Sequence, residues 1–148
     1  MRVVLYTNVL ARATPGKTGP AREVLDLVAV PPHVFILSPF LLVELPRVLR
    51  YKRMRKVHGL NDQEIDTYVQ NVQAAALVVN LLEATPPYVP HDPDDDPVVA
   101  TAVAGQAEVI CTRDHHLGHP DAKAHCLKLG IQVLTDIELL NLLRKPQQ

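Results

Sequence analysis

Tryptophan is absent from this chain of 148 residues, and cysteine occurs only twice, at Cys111 and Cys126. Two cysteines in apolar surroundings predict reduced thiols in a core, not a disulfide scaffold, and so favour a cytoplasmic protein. No stretch approaches the roughly 18 apolar residues of a membrane span, and the N-terminal run lacks the pattern of a signal peptide. We therefore expect a soluble cytoplasmic protein with no membrane partner, folded as a single domain over residues 1–148.

Several catalytic signatures are also missing. The chain has no glycine-rich phosphate loop, and Ser38 has no histidine and aspartate partners in the order of a hydrolase triad. The histidines and cysteines fit no standard zinc spacing. A formal net charge of −1 gives no global reason to expect a nucleic-acid partner, but residues 47–56 are rich in cations. That run is either a local basic patch or a solvated helix face.

Short apolar runs alternate with segments of helical periodicity along the whole chain. Such alternation predicts an α/β domain with a mainly parallel sheet, in which ligands bind outside the carboxyl ends of the strands. Capping-box patterns begin the helices at Asn61 and Thr135, and a serine–proline pair begins another at Ser38. The expected strands are residues 1–5, 34–37, 77–82, 109–112 and 131–134. The expected helices are residues 21–30, one after Ser38 that continues through Pro46, 61–76, 97–105, 121–129 and 135–144.

The segment from Asp92 to Asp114 is the most informative one. It places four aspartates in five positions before an apolar run, and a further aspartate closes it. A helix over 97–105 and a strand over 109–112 would each span ~13 Å in opposite directions. Asp96 and Asp114 should therefore meet at one end of the domain, where two carboxylates can hold a divalent cation. Capping by Asp96 and turn formation by Asp114 are the simpler alternatives. Asp92, Asp94 and Asp95 are expected to be surrounding loop charge.

Glu44 is an isolated acid among the leucines and valines of the helix after Ser38. Burial of such a carboxylate is costly unless it has a partner, and its position about 10 Å along the helix places it near the same sheet edge. The alternative is an exposed pair with Arg47, three residues further along the helix.

The chain resembles the PIN domain, and specifically the PIN-domain toxin components of toxin–antitoxin systems (VapC-like ribonucleases). The resemblance covers nearly the whole chain. It rests on MRVVLYTNVL, SPFLLVELPRVL, DPDDDPVVATAVAGQAEVICTRDHHL and GIQVLT. It implies a PIN-like fold and maps three of the family's four acids onto Glu44, Asp96 and Asp114, as catalytic and metal-binding residues. Where the family has its first aspartate, directly before Thr-Asn, this chain has Tyr6.

What the resemblance implies is hydrolysis of RNA phosphodiester bonds with Mg²⁺ or Mn²⁺ as cofactor. Thr7, Asn8 and Thr112 would support the site. Arg113 would contact RNA, together with Arg50 and Arg53 of the cationic run. An antitoxin protein and a second copy of the chain are the implied protein partners. For the homodimer, the apolar faces at 41–49 and 65–72 are candidates, and both faces are equally candidates for core.

Tyr6 leaves two functional hypotheses open. A phenol is neutral at pH 7 and replaces a carboxylate ligand only by losing its proton, at a cost of about three pH units. Either the three remaining acids still support an endoribonuclease, or the protein is an inactive PIN fold that binds RNA or a partner protein.

Overall fold

The computed structural model describes residues 1–81, 96–114 and 117–145. The chain order of its elements is β1 (Arg2–Leu5), α1 (Thr7–Leu10), α2 (Pro20–Val28), β2 (Val34–Leu37), α3 (Pro39–Leu49), α4 (Lys52–His58), α5 (Asp62–Ala75), β3 (Leu77–Val78), α6 (Asp96–Ala104), β4 (Val109–Cys111), α7 (Pro120–Lys128), β5 (Gln132–Leu134) and α8 (Asp136–Arg144).

The five strands form one parallel sheet in the order β3-β2-β1-β4-β5. The chain adds β2 and β3 on one side of β1, and then adds β4 and β5 on the other. The strand order therefore reverses between β1 and β4, and in open α/β sheets this switch point is where ligands bind. The expectation of an α/β domain with a mainly parallel sheet is confirmed.

The strands are short apolar runs that the fold buries. Val3, Val4 and Leu5 of β1 have no exposed surface, and all of β4 is buried. Continuous apolar runs of this kind are typical of parallel strands, which are covered on both faces. Helix α6 contacts β1, β2 and β4, whereas α8 packs on α2 and β5.

The apolar faces of α3 and α5 belong to the core. Leu41, Leu45 and Leu49 of α3 are buried, as are Ile65 and Val72 of α5. The sequence leaves these faces as candidates for either core or a dimer interface, and both form part of the core. The predicted homodimer, if it forms, therefore requires another surface.

Local sequence signals correctly locate most helix starts. Both capping boxes form, with Asn61 paired to Glu64 and Thr135 paired to Glu138. Helix α3 continues through Pro46, as expected. Ser38 occupies the N-cap position of α3, but its side chain does not cap the helix.

Two differences from the expected elements are informative. Thr7 and Asn8 begin a one-turn helix, α1, where a turn was expected. Strand β3 is only Leu77–Val78, and both residues are exposed at the sheet edge, so part of the predicted strand 77–82 is irregular. The end of that prediction, together with Asp92, Asp94 and Asp95, lies outside the described residues.

Both cysteines are free and buried, as predicted. Burial raises the pKa of the Cys111 thiol and also that of Cys126, so both are protonated at neutral pH. In the part of the chain that the structure describes, no helix is long and apolar enough to cross a membrane.

Candidate active site at the carboxyl edge of the sheet

A cleft of about 740 Å³ opens at the carboxyl edge of β1 and β2. Tyr6, the first residue after β1, forms part of its wall, and Pro97 contributes from the first turn of α6. The other described lining residues come from one side of α3: Pro39, Phe40, Val43, Glu44 and Arg47. Their spacing of three to four residues is the repeat of one helix face. Three segments that are distant in sequence therefore meet at this cleft.

Glu44 reaches the cleft from the second turn of α3, as its position in the sequence predicted. The residue is half-buried, and its Oε2 atom is shielded from solvent. Arg47, which lies one turn further along α3, lines the same cleft and is exposed. The cleft thus contains a carboxylate with one oxygen shielded from solvent, beside an exposed cation and within otherwise apolar walls.

A hydrogen-bond network joins the ends of β1 and β4. Asn8 Nδ2 donates to Thr112 Oγ1 at 3.2 Å, and the Asp114 backbone N–H donates to the same oxygen at 2.9 Å. The Arg113 backbone N–H donates to Asn8 Oδ1 at 3.2 Å. Because Thr112 is only 3% exposed, its hydroxyl is a fixed point from which the loop carrying Asp114 is oriented. Asn8 and Thr112, which the sequence predicts as supporting residues, therefore bond to each other and to the loop of Asp114.

Ser38 and Thr101 hold the start of α6 beside α3. Thr101 Oγ1 lies 2.8 Å from Ser38 Oγ and 2.7 Å from the Pro97 carbonyl, and both hydroxyl residues are fully buried. This explains why the Ser38 side chain does not cap α3: it bonds to α6 instead. The contact positions the first turn of α6, which begins with Asp96.

Comparison with known proteins agrees with this architecture. The family description "PIN domain" matches residues 2–116, which is more than three quarters of the chain. The chain belongs to the PIN domain family. Members of this family are typically nucleases and generally use a divalent metal ion.

A solved structure supports the fold independently. The chain is similar to a PilT N-terminus domain protein from the hyperthermophilic archaeon Sulfolobus solfataricus P2, with a TM-score of 0.55 and 13% sequence identity. The alignment covers 100% of this chain and 98% of that one. At this identity the likeness shows the fold alone. No curated protein matches the sequence.

The segments of this PIN domain that carry Tyr6, Glu44, Asp96 and Asp114 all lie within the matched residues. Glu44 and the start of α6 share the large cleft, whereas Asp114 lines a neighbouring cavity of about 180 Å³ with Thr112 and Arg113. Among the described residues, no group of three or more metal-ligating side chains is close enough to hold an ion. The side chain of Asp96 is outside what the structure describes, so the set of three acids stays a prediction.

Arg113 has a partner that the sequence did not reveal. Its Nη1 lies 3.1 Å from Asp136 Oδ1 and 3.5 Å from Oδ2, and the Asp136 side chain is only 3% exposed. Asp136 is the first residue of α8, which follows β5 at the same sheet edge. Its place within the capping box TDIE concealed this role. The signal available in the sequence was the position of Asp136, which follows the predicted strand 131–134 much as Asp114 follows the strand 109–112.

The other arginines expected to contact RNA lie in different environments. Arg50 Nη2 bonds to Asp66 at 2.7 Å, and Arg50 Nε lies 3.5 Å from Asp62. Arg50 therefore forms ion pairs with two carboxylates of α5. The hydrogen bond that Arg50 donates to Asp66 raises the pKa of Arg50. Arg53 is exposed on α4. Thr7 is buried in α1, where it supports the fold of the strand end.

Proposed function

We propose that this PIN domain is a metal-dependent endoribonuclease that hydrolyses RNA phosphodiester bonds, as in the toxin components of toxin–antitoxin systems. The observation that carries the proposal is the cleft that Glu44, the start of α6 and Tyr6 share at the end of β1, the strand that the Asn8–Thr112 network joins to β4 at the switch point. Such a position, formed by separate elements, is where α/β folds bind their substrates.

The donor chemistry of the remaining acids suits a hard cation. Carboxylate oxygens are the ligands that Mg²⁺ and Mn²⁺ prefer, and Glu44 offers one with an atom already withdrawn from water. Glu44, Asp96 and Asp114 would hold the ion, which when bound activates a water molecule and stabilises phosphate charge. The phenol of Tyr6 adds no negative charge at neutral pH, so the site would hold its cation with fewer carboxylates than the family pattern.

The chain's own residues would then bind and orient the substrate. Arg47 brings a cation to the large cleft, and Phe40 and Val43 provide apolar wall for a ribonucleotide. Thr112 orients the loop that carries Asp114, because its hydroxyl oxygen accepts the Asp114 backbone N–H. Arg113 would neutralise a phosphate beside the cleft, and Arg50 and Arg53 would bind the RNA backbone further away.

A cleavage assay with Tyr6→Asp tests the proposal. We expect Tyr6→Asp to create or greatly increase Mn²⁺-dependent cleavage of single-stranded RNA, because it restores a carboxylate to the cleft wall. Adding Asp96→Asn to Tyr6→Asp should abolish that activity, whereas adding Asp26→Asn, at an exposed acid of α2 that does not line the cleft, should not. Equal cleavage by the parent and Tyr6→Asp would show that Tyr6 is not damaging.

The second candidate is an inactive PIN fold that binds RNA or a protein such as an antitoxin. The observation that favours it is the composition of the cleft, whose described wall is mainly apolar or aromatic around Tyr6. This function predicts that RNA binds without cleavage, with and without Mn²⁺, to both the parent and Tyr6→Asp. Absence of metal-dependent cleavage in both proteins would therefore select this candidate over the nuclease.

A further inference from the structure

A third cavity, of about 220 Å³, shares Arg113 with the cavity that Asp114 lines, and its charged lining residues are predominantly cationic. We call it the basic pocket. Its polar lining residues are Arg12, Lys17, Thr18, Arg113 and Asp136, and its apolar ones are Pro20, Ala21 and Val57. Three cations and one carboxylate give the pocket a formal charge of +2. An excess of positive charge in a concave site raises the local concentration of anions.

Arg113 is held in this pocket at two points. Its backbone N–H is fixed by Asn8 Oδ1, and its Nη1 is fixed by the buried carboxylate of Asp136. Asp136 is in turn oriented by the backbone N–H of Ile137, which donates to Oδ1 at 3.0 Å. The Arg113 side chain is 39% exposed, and within the described residues its Nε and Nη2 donate to no other group. An arginine that is anchored at one nitrogen presents its remaining donors as a rigid fork, which matches the geometry of a phosphate.

Arg12 and Lys17 approach the same pocket from the loop between α1 and α2. In the described ranges, neither side chain forms a hydrogen bond or ion pair, so their charge is not neutralised by a neighbouring carboxylate. The Lys17 backbone N–H donates to the Thr14 carbonyl at 3.1 Å, and Gly19 has φ of +118° just before α2. This positive φ favours glycine, and it sets the direction in which the loop enters α2. The Thr18 hydroxyl adds a neutral donor.

We propose that the basic pocket binds a phosphodiester group of the RNA strand, next to the scissile one, and that Asp136 is the positioning residue for Arg113. The proposal rests on the proposed function for the identity of the ligand. Arg113 and Asp114 are consecutive, so their Cα atoms are only about 3.8 Å apart, and a strand that passes the Asp114 carboxylate reaches Arg113 directly. A strand bound there is continuous from the candidate active site into the basic pocket.

The salt dependence of RNA binding tests the pocket without requiring catalysis. A labelled single-stranded RNA is titrated with the protein in EDTA at several KCl concentrations. For single strands, each neutralised phosphate contributes a slope of about −0.7 to the plot of log K against log salt. We expect Arg12→Gln combined with Lys17→Gln to reduce the magnitude of the slope by about 0.7, the value for one phosphate. The affinity at 50 mM KCl should fall about tenfold for each phosphate that the protein no longer neutralises.

Lys128→Gln combined with Lys145→Gln is the matched control, because it also removes two cations, and both residues are exposed and line neither cavity. A slope and affinity for Arg12→Gln with Lys17→Gln that equal those of this control overturn the proposal, even if Tyr6→Asp cleaves RNA. Conversely, a reduced slope with no cleavage by any variant supports the pocket and contradicts only the nuclease.

Asp136→Asn separates positioning from bulk charge. The substitution makes the protein one unit more positive, so nonspecific electrostatics alone predicts tighter RNA binding. If Asp136 positions Arg113, binding weakens instead, by about threefold to tenfold, because the guanidinium loses its anchor. The variant is assayed below its melting temperature, with far-UV circular dichroism as the check of folding. Tighter binding by the folded variant overturns the positioning role.

Discussion

The pair of Arg113 and Asp136 is open to a quantitative test of stability. Arg113→Gln leaves the Asp136 carboxylate, with 3% of its side chain exposed, to the Ile137 N–H as its remaining described donor. Removing one partner of a fully buried ion pair typically costs about 3–5 kcal/mol. Arg113 is 39% exposed, so water partly replaces its guanidinium. We therefore expect a loss of about 2 kcal/mol, below that range.

The reverse change should be less damaging. Asp136→Asn removes the buried charge, and the partly exposed guanidinium can be hydrated, so we expect a loss of about 1 kcal/mol. The double variant has no orphaned buried charge, and we expect it to be about as stable as Asp136→Asn alone. The coupling free energy in the double-mutant cycle should then be about 2 kcal/mol.

Urea unfolding followed by far-UV circular dichroism measures these values, and it suits a chain without tryptophan. For a domain of this size, about 2 kcal/mol corresponds to a shift of about 8 °C in melting temperature. The control cycle uses Arg144 and Glu23, which lie 3.0 Å apart with exposed side chains, and its coupling should stay below about 0.5 kcal/mol. A coupling at Arg113 and Asp136 no larger than this control would refute the argument that Asp136 anchors Arg113.

Two further predictions concern the metal site and the packing of α6. Mn²⁺ should raise the melting temperature of the parent protein, by about 10 °C at roughly one hundred times its dissociation constant, and Asp96→Asn should abolish the rise. No shift in the parent would contradict a metal site of Glu44, Asp96 and Asp114. Gly105→Ala should lower stability by about 1–3 kcal/mol, because the new Cβ would lie 2.6 Å from Ile36 Cγ2. A loss below about 0.5 kcal/mol in urea unfolding would show that β2 and α6 separate at little cost.

The fold was predictable because its signals are local. The short apolar run before Tyr6 predicts a buried strand and forms β1. The capping boxes at Asn61 and Thr135 specify helix starts through contacts only three residues apart. Parallel pairing then follows from the alternation of strands and helices. Strand β3 was overestimated because exposed Leu77 and Val78 at a sheet edge have only one neighbouring strand.

The contacts that organise the candidate site were not predictable in the same way. Ser38 forms an N-cap pattern, yet its hydroxyl bonds to Thr101, 63 residues away. Asn8 was expected in a turn, and instead it bridges to Thr112, 104 residues away. In both cases a polar side chain can bond to a local or to a distant partner, and tertiary packing determines which bond forms. Asp136 was missed for the same reason, since its local role in α8 is compatible with a distant ion pair.

The backbone contacts at Tyr6 can be considered separately from the chemistry of its side chain. The Tyr6 backbone N–H donates to the Cys111 carbonyl at 2.9 Å, and this bond extends the β1–β4 ladder whatever the side chain is. Asn8 and Thr112 join the same two strand ends through groups that Tyr6 does not supply. A carboxylate at this position would therefore be presented by the same backbone that now presents the phenol. Because the Tyr6 backbone bond and the Asn8–Thr112 contact do not involve the Tyr6 side chain, both contacts are available to Tyr6→Asp. Activity gained by a folded Tyr6→Asp variant would therefore report the chemistry of one carboxylate, and its absence would count against the nuclease.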